Sequence, residues 1–308
     1  MLDLLAASGI RGLRIKKEVS NVDVTLNDYS KKAAKLIKKN AKLNKLSVKI
    51  ENKAANVLLS ELNTYDYIDL DPFGTPVPFL DSAIKRLSPH GVIGVTATDT
   101  SALCGAAPKA CLRKYGSKPL RNEFMHETAV RILIKKCQEV AAQYDVALIP
   151  IFSHSSNHYV RVYLQKAGGA KKADEILKQH GHVLYCPKCC YRNTTTNLLS
   201  EANKCSQCSA KLDHLGKVWL GELWDRKLVK QMINNTEKAA VSKQTIKLLE
   251  TIYAESAIKT VGFYDLHTLA KKNKWKQVPR MQTILDKTKG TRTHFRLTGI
   301  RTKKLLLS

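Results

Sequence analysis

Asp71-Pro72-Phe73-Gly74 is the stretch whose residue types point most directly to a reaction. It follows the run Tyr65 to Leu70, which reads as a strand, and ligands of open α/β sheets collect at the carboxyl ends of strands. An exocyclic amine on a nucleobase is a poor nucleophile because its lone pair is delocalised into the ring. The carboxylate of Asp71 and the carbonyl of Pro72 can accept its two N–H bonds and turn the lone pair toward a methyl donor. Phe73 can stack on the extruded base. The plainer alternative is a turn with a structural aspartate. Asp69 lies two residues earlier on the same side of the strand and reads as a buried acid with a partner.

A second constellation is the glycine turn Asp3-Leu4-Leu5-Ala6-Ala7-Ser8-Gly9-Ile10-Arg11-Gly12. It has the form strand, tight turn, helix start. Small residues there let a ligand approach the backbone, and the helix N-terminus offers free N–H groups. Asp28 stands 19 residues beyond Gly9, at the end of the next strand. A carboxylate in that place commonly accepts the ribose hydroxyls of a nucleotide-like cofactor. No Gly-Lys-Ser/Thr follows, which disfavours a triphosphate.

Cys186, Cys189, Cys205 and Cys208 form C-x2-C-x15-C-x2-C, the spacing of a zinc ribbon. Four thiolates leave no open coordination position, so such a zinc is structural. Cys190 is an extra neighbour, not a ligand. Cys104 as a nucleophile would suggest pyrimidine C5 methylation. A packed loop cysteine is the better reading, since C5 chemistry needs no carboxylate–carbonyl pair.

The elements that must position these groups alternate over the first 166 residues. Strands are expected at 2–7, 21–26, 48–51, 65–70 and 91–98, with helices at 30–44, 76–87 and 120–144. Two closing strands, 146–152 and 159–164, are too close for a crossover and so must be antiparallel. The fold class is therefore α/β: a doubly wound, Rossmann-like sheet with an antiparallel last strand. Residues 168–174 read as a hinge. The expected domains are 1–170, 171–240 with the cysteines, and 241–308. The last region reads as helices at 242–255, 265–273 and 279–287 followed by strands at 291–297 and 300–307, a winged-helix pattern. Asp265 is an expected N-cap and Pro279 an expected first helical residue.

The chain has 308 residues, of which 44% are hydrophobic, with 52 Lys and Arg against 26 acids and a formal charge of +26. That excess calls for an anionic partner, nucleic acid first and an acidic membrane surface second. The longest wholly apolar run, Val146 to Phe152, falls far short of the roughly 20 residues that span a bilayer. With no secretory signal, the expected location is the cytoplasm. Lys31, Lys35, Lys38, Lys42 and Lys45 lie on one helical face, which by itself reads as a solvated stripe before an RNA-binding one. Basic residues crowd around Trp275 and the expected wing, where phosphate contact is plausible. The named RNA-contact candidates are Lys274, Arg280, Arg292 and His294.

Taken together, these residues resemble the tRNA (guanine-26, N2)-dimethyltransferase family. The likeness rests on Ser8 to Arg14, Asn27-Asp28, Asp69 to Asp81, Thr96 to Thr100, Pro108 to Tyr115, the four cysteines, Trp219-Leu220-Gly221, Arg292 to Phe295 and Thr298 to Ile300. It implies a class I methyltransferase domain and S-adenosylmethionine as donor. It implies transfer of one or two methyls to N2 of guanine 26 in tRNA. Asp71 and Pro72 would hold the amine and Phe73 the base. Asp3, Ser8, Gly9, Arg11 and Ala55 would lie at the cofactor, with Asp28 at its ribose. The C-terminal domain would hold tRNA. Two departures stand out. Family members carry a leading segment before the glycine turn, and Ala54 replaces a usual aspartate. The alternatives these leave open are a split enzyme with a separate N-terminal polypeptide, or a zinc-stabilised tRNA-binding protein with little or no activity. An amino-methyltransferase for another base is a third.

Overall fold

The computed structural model describes residues 1–61, 63–200, 203–236 and 241–304. Its first half alternates strands and helices: β1 (Leu2–Asp3), α1 (Ile10–Glu18), β2 (Thr25–Asn27), α2 (Lys31–Leu43), β3 (Lys49–Glu51), α3 (Ala55–Leu58), β4 (Tyr65–Leu70), α4 (Val77–Lys85) and β5 (Leu87–Ala97). Then come α5 (Thr100–Leu103), α6 (Pro108–Tyr115), α7 (Met125–Ala142), β6 (Val146–Ser156), β7 (Tyr159–Gly168) and α8 (Ala170–Leu177). The seven strands form one sheet in the order β3-β2-β1-β4-β5-β7-β6. Pairings among the first five are parallel. Only residues 157 and 158 join β6 to β7, a connection that an antiparallel pair alone can make.

Local chemistry explains the elements that matter for the site. Ser30 caps α2 by accepting the Ala33 N–H at 3.4 Å. Ile37 and Ala41 on the inner face of α2 pack with Leu13, Val24 and Leu26. Gly12 lets α1 lie on the sheet, because a Cβ there would come within 2.2 Å of Leu26 Cδ2.

The second half begins with β8 (His180–Tyr185), β9 (Arg192–Thr195) and β10 (Asp213–Trp219), a sheet ordered β10-β8-β9. After α9 (Arg226–Asn235) come α10 (Lys243–Glu255), β11 (Tyr264–Asp265), α11 (Leu266–Lys272), α12 (Met281–Thr288), β12 (Thr291–Thr293) and β13 (Arg296–Arg301). Helix, strand, two helices and two strands is the winged-helix order, and the sheet is β11-β13-β12. Ser242 and Asp265 cap α10 and α11.

Compact packing divides the chain into two units. One holds 1–99, 137–149 and 161–176; the other holds 100–136, 150–160 and 177–308. These units do not follow linear cuts at 170 and 240. The expected hinge at 168–174 is instead a tight turn at Gly169, with φ of 110°, leading directly into α8. The long helix starts at Met125 rather than 120, because Asn122 turns the chain by accepting the Phe124 N–H. Arg280, not Pro279, precedes the first residue of α12. The C-terminal hairpin turns at 294–295, four residues earlier than expected. His294 and Phe295 are drawn inward: Glu255 accepts the His294 N–H, and Phe295 stacks on Phe263. The tail 305–308 of the expected last strand lies outside the described residues.

A buried ion network ties this unit together. Glu127 pairs with Arg131 at 2.9 Å and Arg301 at 2.6 Å, and Arg301 also reaches Glu255 at 3.1 Å. Burial acts to raise the Glu127 carboxyl, but Arg301 and Arg131 together outweigh it and hold it at about 2.

Candidate active site at the switch point of the sheet

In the order β3-β2-β1-β4-β5, the chain reverses direction of build-up between β1 and β4. A crevice opens at such a point beyond the strands' carboxyl ends. The loops after β1 and β4 flank it, and these are the glycine turn and Asp71-Pro72-Phe73-Gly74.

The glycine turn is shaped by Gly9, with φ of 76°, whose N–H donates to the Ala6 carbonyl at 2.7 Å. Ser8 accepts from the Asn40 side chain through its carbonyl at 2.9 Å. Asp28 receives the Ala7 N–H at 2.9 Å and the Ser30 N–H at 2.8 Å. This fixes its partly exposed carboxylate beside the turn. Asn27, fully buried, staples the strand ends: its amide donates to the carbonyls of Leu4 and Lys53 and accepts the Lys53 N–H. In the sequence it looks only like the end of a strand. Ala55 is the buried first residue of α3, and Ala54 before it offers no side-chain cap.

The second loop is held to the end of β5. Gly74 N–H donates to Thr98 Oγ1 at 2.6 Å, and Thr98 N–H returns to the Gly74 carbonyl at 2.9 Å. Pro72 is buried, whereas the Phe73 ring is fully exposed, at 101%. Such a ring has a free face for stacking.

Asp71 is gripped from one side. Arg11 Nη2 lies 2.5 Å from Asp71 Oδ2, and Arg11 Nη1 lies 2.7 Å from Asp69 Oδ1. Asp69 is the buried, partnered acid expected: Tyr67 Oη donates to it at 2.7 Å and Arg161 pairs with its other oxygen. Arg161 also donates to Thr96 Oγ1 at 2.5 Å. Burial opposes the charge on Arg161, but Asp69 together with Tyr163 and Tyr67 outweighs it and raises the guanidinium's pKa. Gly94 makes room for this, since a Cβ there would meet Tyr67 Oη at 2.7 Å. Asp3, almost fully buried, accepts from the Gly12 N–H, and burial followed by Asp69 lifts its carboxyl to about 7. Asp3, Arg11, Asp69, Asp71 and Arg161 thus form one cluster, of which Arg161 went unread in the sequence.

The second unit holds the cysteines on two matching knuckles. In each, the first cysteine's N–H and carbonyl bond within the turn: Cys186 to Tyr191 and Cys190, Cys205 to Ala210 and Ser209. Cys190 and Ser209, which follow the second cysteines, share positive φ. The four sulfurs lie within 4.8 Å of one another, with Cys186 and Cys208 3.5 Å apart. Tetrahedral thiolate coordination of zinc places sulfurs about 3.8 Å apart. Cys104 is buried, 3.6 Å from His126 Nδ1, and burial pushes its thiol up to about 11, away from the thiolate a nucleophile needs. Of the RNA-contact candidates, Lys274, Arg280 and Arg292 are exposed. His294 is not: its side chain is 2% exposed, pairs with Glu255 at 2.5 Å and packs on Trp224 and Phe295. It has no face to lend to a phosphate. No helix among the described residues is long and apolar enough to cross a membrane.

The sequence model of the N2,N2-dimethylguanosine tRNA methyltransferases matches residues 1–306. The chain belongs to this family. A tRNA (guanine(26)-N(2)/guanine(27)-N(2))-dimethyltransferase of Aquifex aeolicus is 42% identical over 307 residues, covering 97% of this chain and 78% of that protein. The tRNA (guanine(26)-N(2))-dimethyltransferase of Methanocaldococcus jannaschii is 39% identical, covering 99% and 81%. Trm1 of Pyrococcus horikoshii, solved in complex with S-adenosyl-L-methionine, superposes with a TM-score of 0.89 at 35% identity, over 98% of this chain and 85% of that one. The likeness therefore takes in the doubly wound sheet and the later sheets alike.

Proposed function

We propose that this chain transfers one or two methyl groups from S-adenosylmethionine to the exocyclic N2 amine of guanine 26 in tRNA. The observation that carries the reading is the loop after β4: a carboxylate with one oxygen held by Arg11, a neighbouring proline carbonyl and a free aromatic ring, all at the switch point of the sheet. The donor fits the residues present. Asp28 offers acceptor oxygens beside the turn, as vicinal ribose hydroxyls require, and Ser8, Gly9 and Ala55 bring main chain and small side chains to the same edge. When bound, S-adenosylmethionine supplies an electrophilic methyl group on a positively charged sulfur.

The protein's own work is positioning. Phe73 stacks on the flipped guanine. Asp71 Oδ1 and the Pro72 carbonyl accept the two amine N–H bonds and aim the lone pair. The proton lost from nitrogen after transfer passes to Asp71 or to water. Residues 1–170 carry this chemistry, 171–240 a structural zinc on Cys186, Cys189, Cys205 and Cys208, and 241–308 the tRNA contacts of Lys274, Arg280 and Arg292.

The test is to incubate the chain with S-adenosylmethionine and unmodified tRNA, digest to nucleosides and read the products by mass spectrometry. N2-methylguanosine or N2,N2-dimethylguanosine, lost in Asp71→Ala, supports the reading; products that persist in Asp71→Ala overturn it. The uncapped start of α3 at Ala54 favours a second reading, tRNA binding with weak transfer. Tight binding without product in the same assay selects it.

A further inference from the structure

Helix α2 carries a charge pattern that works against its own stability. Seven lysines (31, 32, 35, 38, 39, 42 and 45) fall in fifteen residues, and no acid occurs between Asp28 and Glu51. All seven are exposed, and none of their side chains has a hydrogen bond or ion pair among the described residues. Lys49, just beyond, does pair, with Glu51 at 3.0 Å. Along the helix, Lys31 and Lys35, Lys35 and Lys39, and Lys38 and Lys42 repel at i, i+4 spacing. Lys31 and Lys32 also occupy the first turn, where the helix dipole is positive and acids are favoured; this turn has none. A merely solvated stripe of this kind would carry compensating acids. The helix holds through its Ser30 cap and the buried Ile37 and Ala41.

We infer that the lysine face of α2 is a docking surface for the sugar–phosphate backbone of the RNA substrate, on the methyl-transfer half of the chain and separate from the basic winged-helix-like end. It rests on the proposed action on tRNA. The stripe from Lys31 to Lys42 is about 16 Å long, enough to meet several phosphates. A membrane surface is a poorer fit, because the apolar face that would have to insert is already buried against the sheet. The helix begins three residues after Asp28, so RNA on this face runs past the cofactor end of the crevice.

The test compares Lys31→Gln/Lys35→Gln/Lys38→Gln with a control of equal charge, Lys171→Gln/Lys172→Gln/Lys178→Gln. The control lysines are also exposed, but Asp174 and Glu175 lie among them. Binding of unmodified tRNA is measured across a salt series, with melting temperature alongside. The α2 variant is expected to bind roughly tenfold or more weakly, and its slope of log K against log salt to fall by roughly two to three. Its melting temperature should rise. An unchanged affinity and slope, an equal loss in the control, or a lowered melting temperature each overturns the inference. Failure of the wild-type chain to methylate guanine N2, with the slope difference intact, would sink the enzymatic reading and leave the surface standing.

Discussion

Arg11 joins Asp69 to Asp71: one guanidinium spans Asp69 Oδ1 at 2.7 Å and Asp71 Oδ2 at 2.5 Å. Two carboxylates this close repel unless a cation lies between them. The bridge settles which oxygen of Asp71 is taken and which is left for a ligand. It also gives Arg11, which the family resemblance puts at the cofactor, a structural partner in the β4 loop. Arg161 completes the frame from β7, holding the far oxygen of Asp69 and standing 3.9 Å from Asp71.

Arg161→Gln should therefore slow transfer without loosening substrate. Asp69 keeps Arg11 and Tyr67 but loses its buried cation, and Asp71 loses the frame that fixes its angle. A fall in kcat of roughly 10- to 100-fold with little change in KM for tRNA is expected, because a misplacement of about 1 Å costs on that order. Breaking a buried pair also costs about 3–5 kcal/mol of stability, so melting temperature must be followed. Arg161→Lys restores charge but not the fork, and should recover stability more than rate. A variant that changes KM alone would show that Arg161 serves binding instead.

Asp3 makes stability depend on pH in a definite direction. Its carboxyl sits near 3.8 in an unfolded chain and about 7 in the folded one. Between those values the unfolded state has lost the proton and the folded state has kept it, so stability falls as pH rises from about 4 to 7 and levels off above. Asp3→Asn keeps the acceptor for Gly12 and removes the titration. Its melting temperature relative to wild type should climb between pH 4 and 7. A constant difference across that range would show that Asp3 is ionised in the fold.

The sequence exposes the site where its logic is local. Asp71 to Gly74, the glycine turn and the cysteine knuckles each declare themselves within a few residues, because a turn needs particular residues at adjacent places. The strand β4 runs Tyr65–Leu70, the expected span, and ends where Asp71-Pro72 begins the turn. What stayed hidden depends on long separations. Arg161 lies 92 residues from Asp69 on a strand whose pattern reads as ordinary alternation. His294 looks like part of a basic wing until Glu255, 39 residues away, is seen to bury it. Asn27 differs from any strand-ending asparagine only in what its amide reaches across the sheet.

Two glycines separate folding from catalysis. Gly12→Ala would drive a methyl to 2.2 Å from Leu26 Cδ2 in the core, and overpacking of this kind costs about 1–3 kcal/mol. Gly94→Ala meets instead the ends of Tyr67 and Arg161, at 2.7 and 3.0 Å. These tips can move, so melting should change little, but they are the tips that hold Asp69. Gly12→Ala is expected to lower the melting temperature with kcat kept, and Gly94→Ala to lower kcat with melting kept. Thermal melts beside single-turnover rates would read both, and a reversed pattern would place Gly94 in the core's service.

Metal removal should unfold part of the chain and leave the crevice intact. The two knuckles hold four sulfurs within 4.8 Å, and without a cation four thiols have little reason to converge. Purified protein should release close to one zinc per chain on treatment with a thiol-modifying reagent, measured with a metallochromic dye. Cys186→Ser or Cys208→Ser should lower that ratio and expose the β8–β10 region to protease. Binding of S-adenosylmethionine by the first unit, followed by calorimetry, should persist, since Asp28, Gly9 and Asp71 lie outside the knuckles' unit. Loss of cofactor binding together with the metal would mean that the ribbon supports the crevice directly.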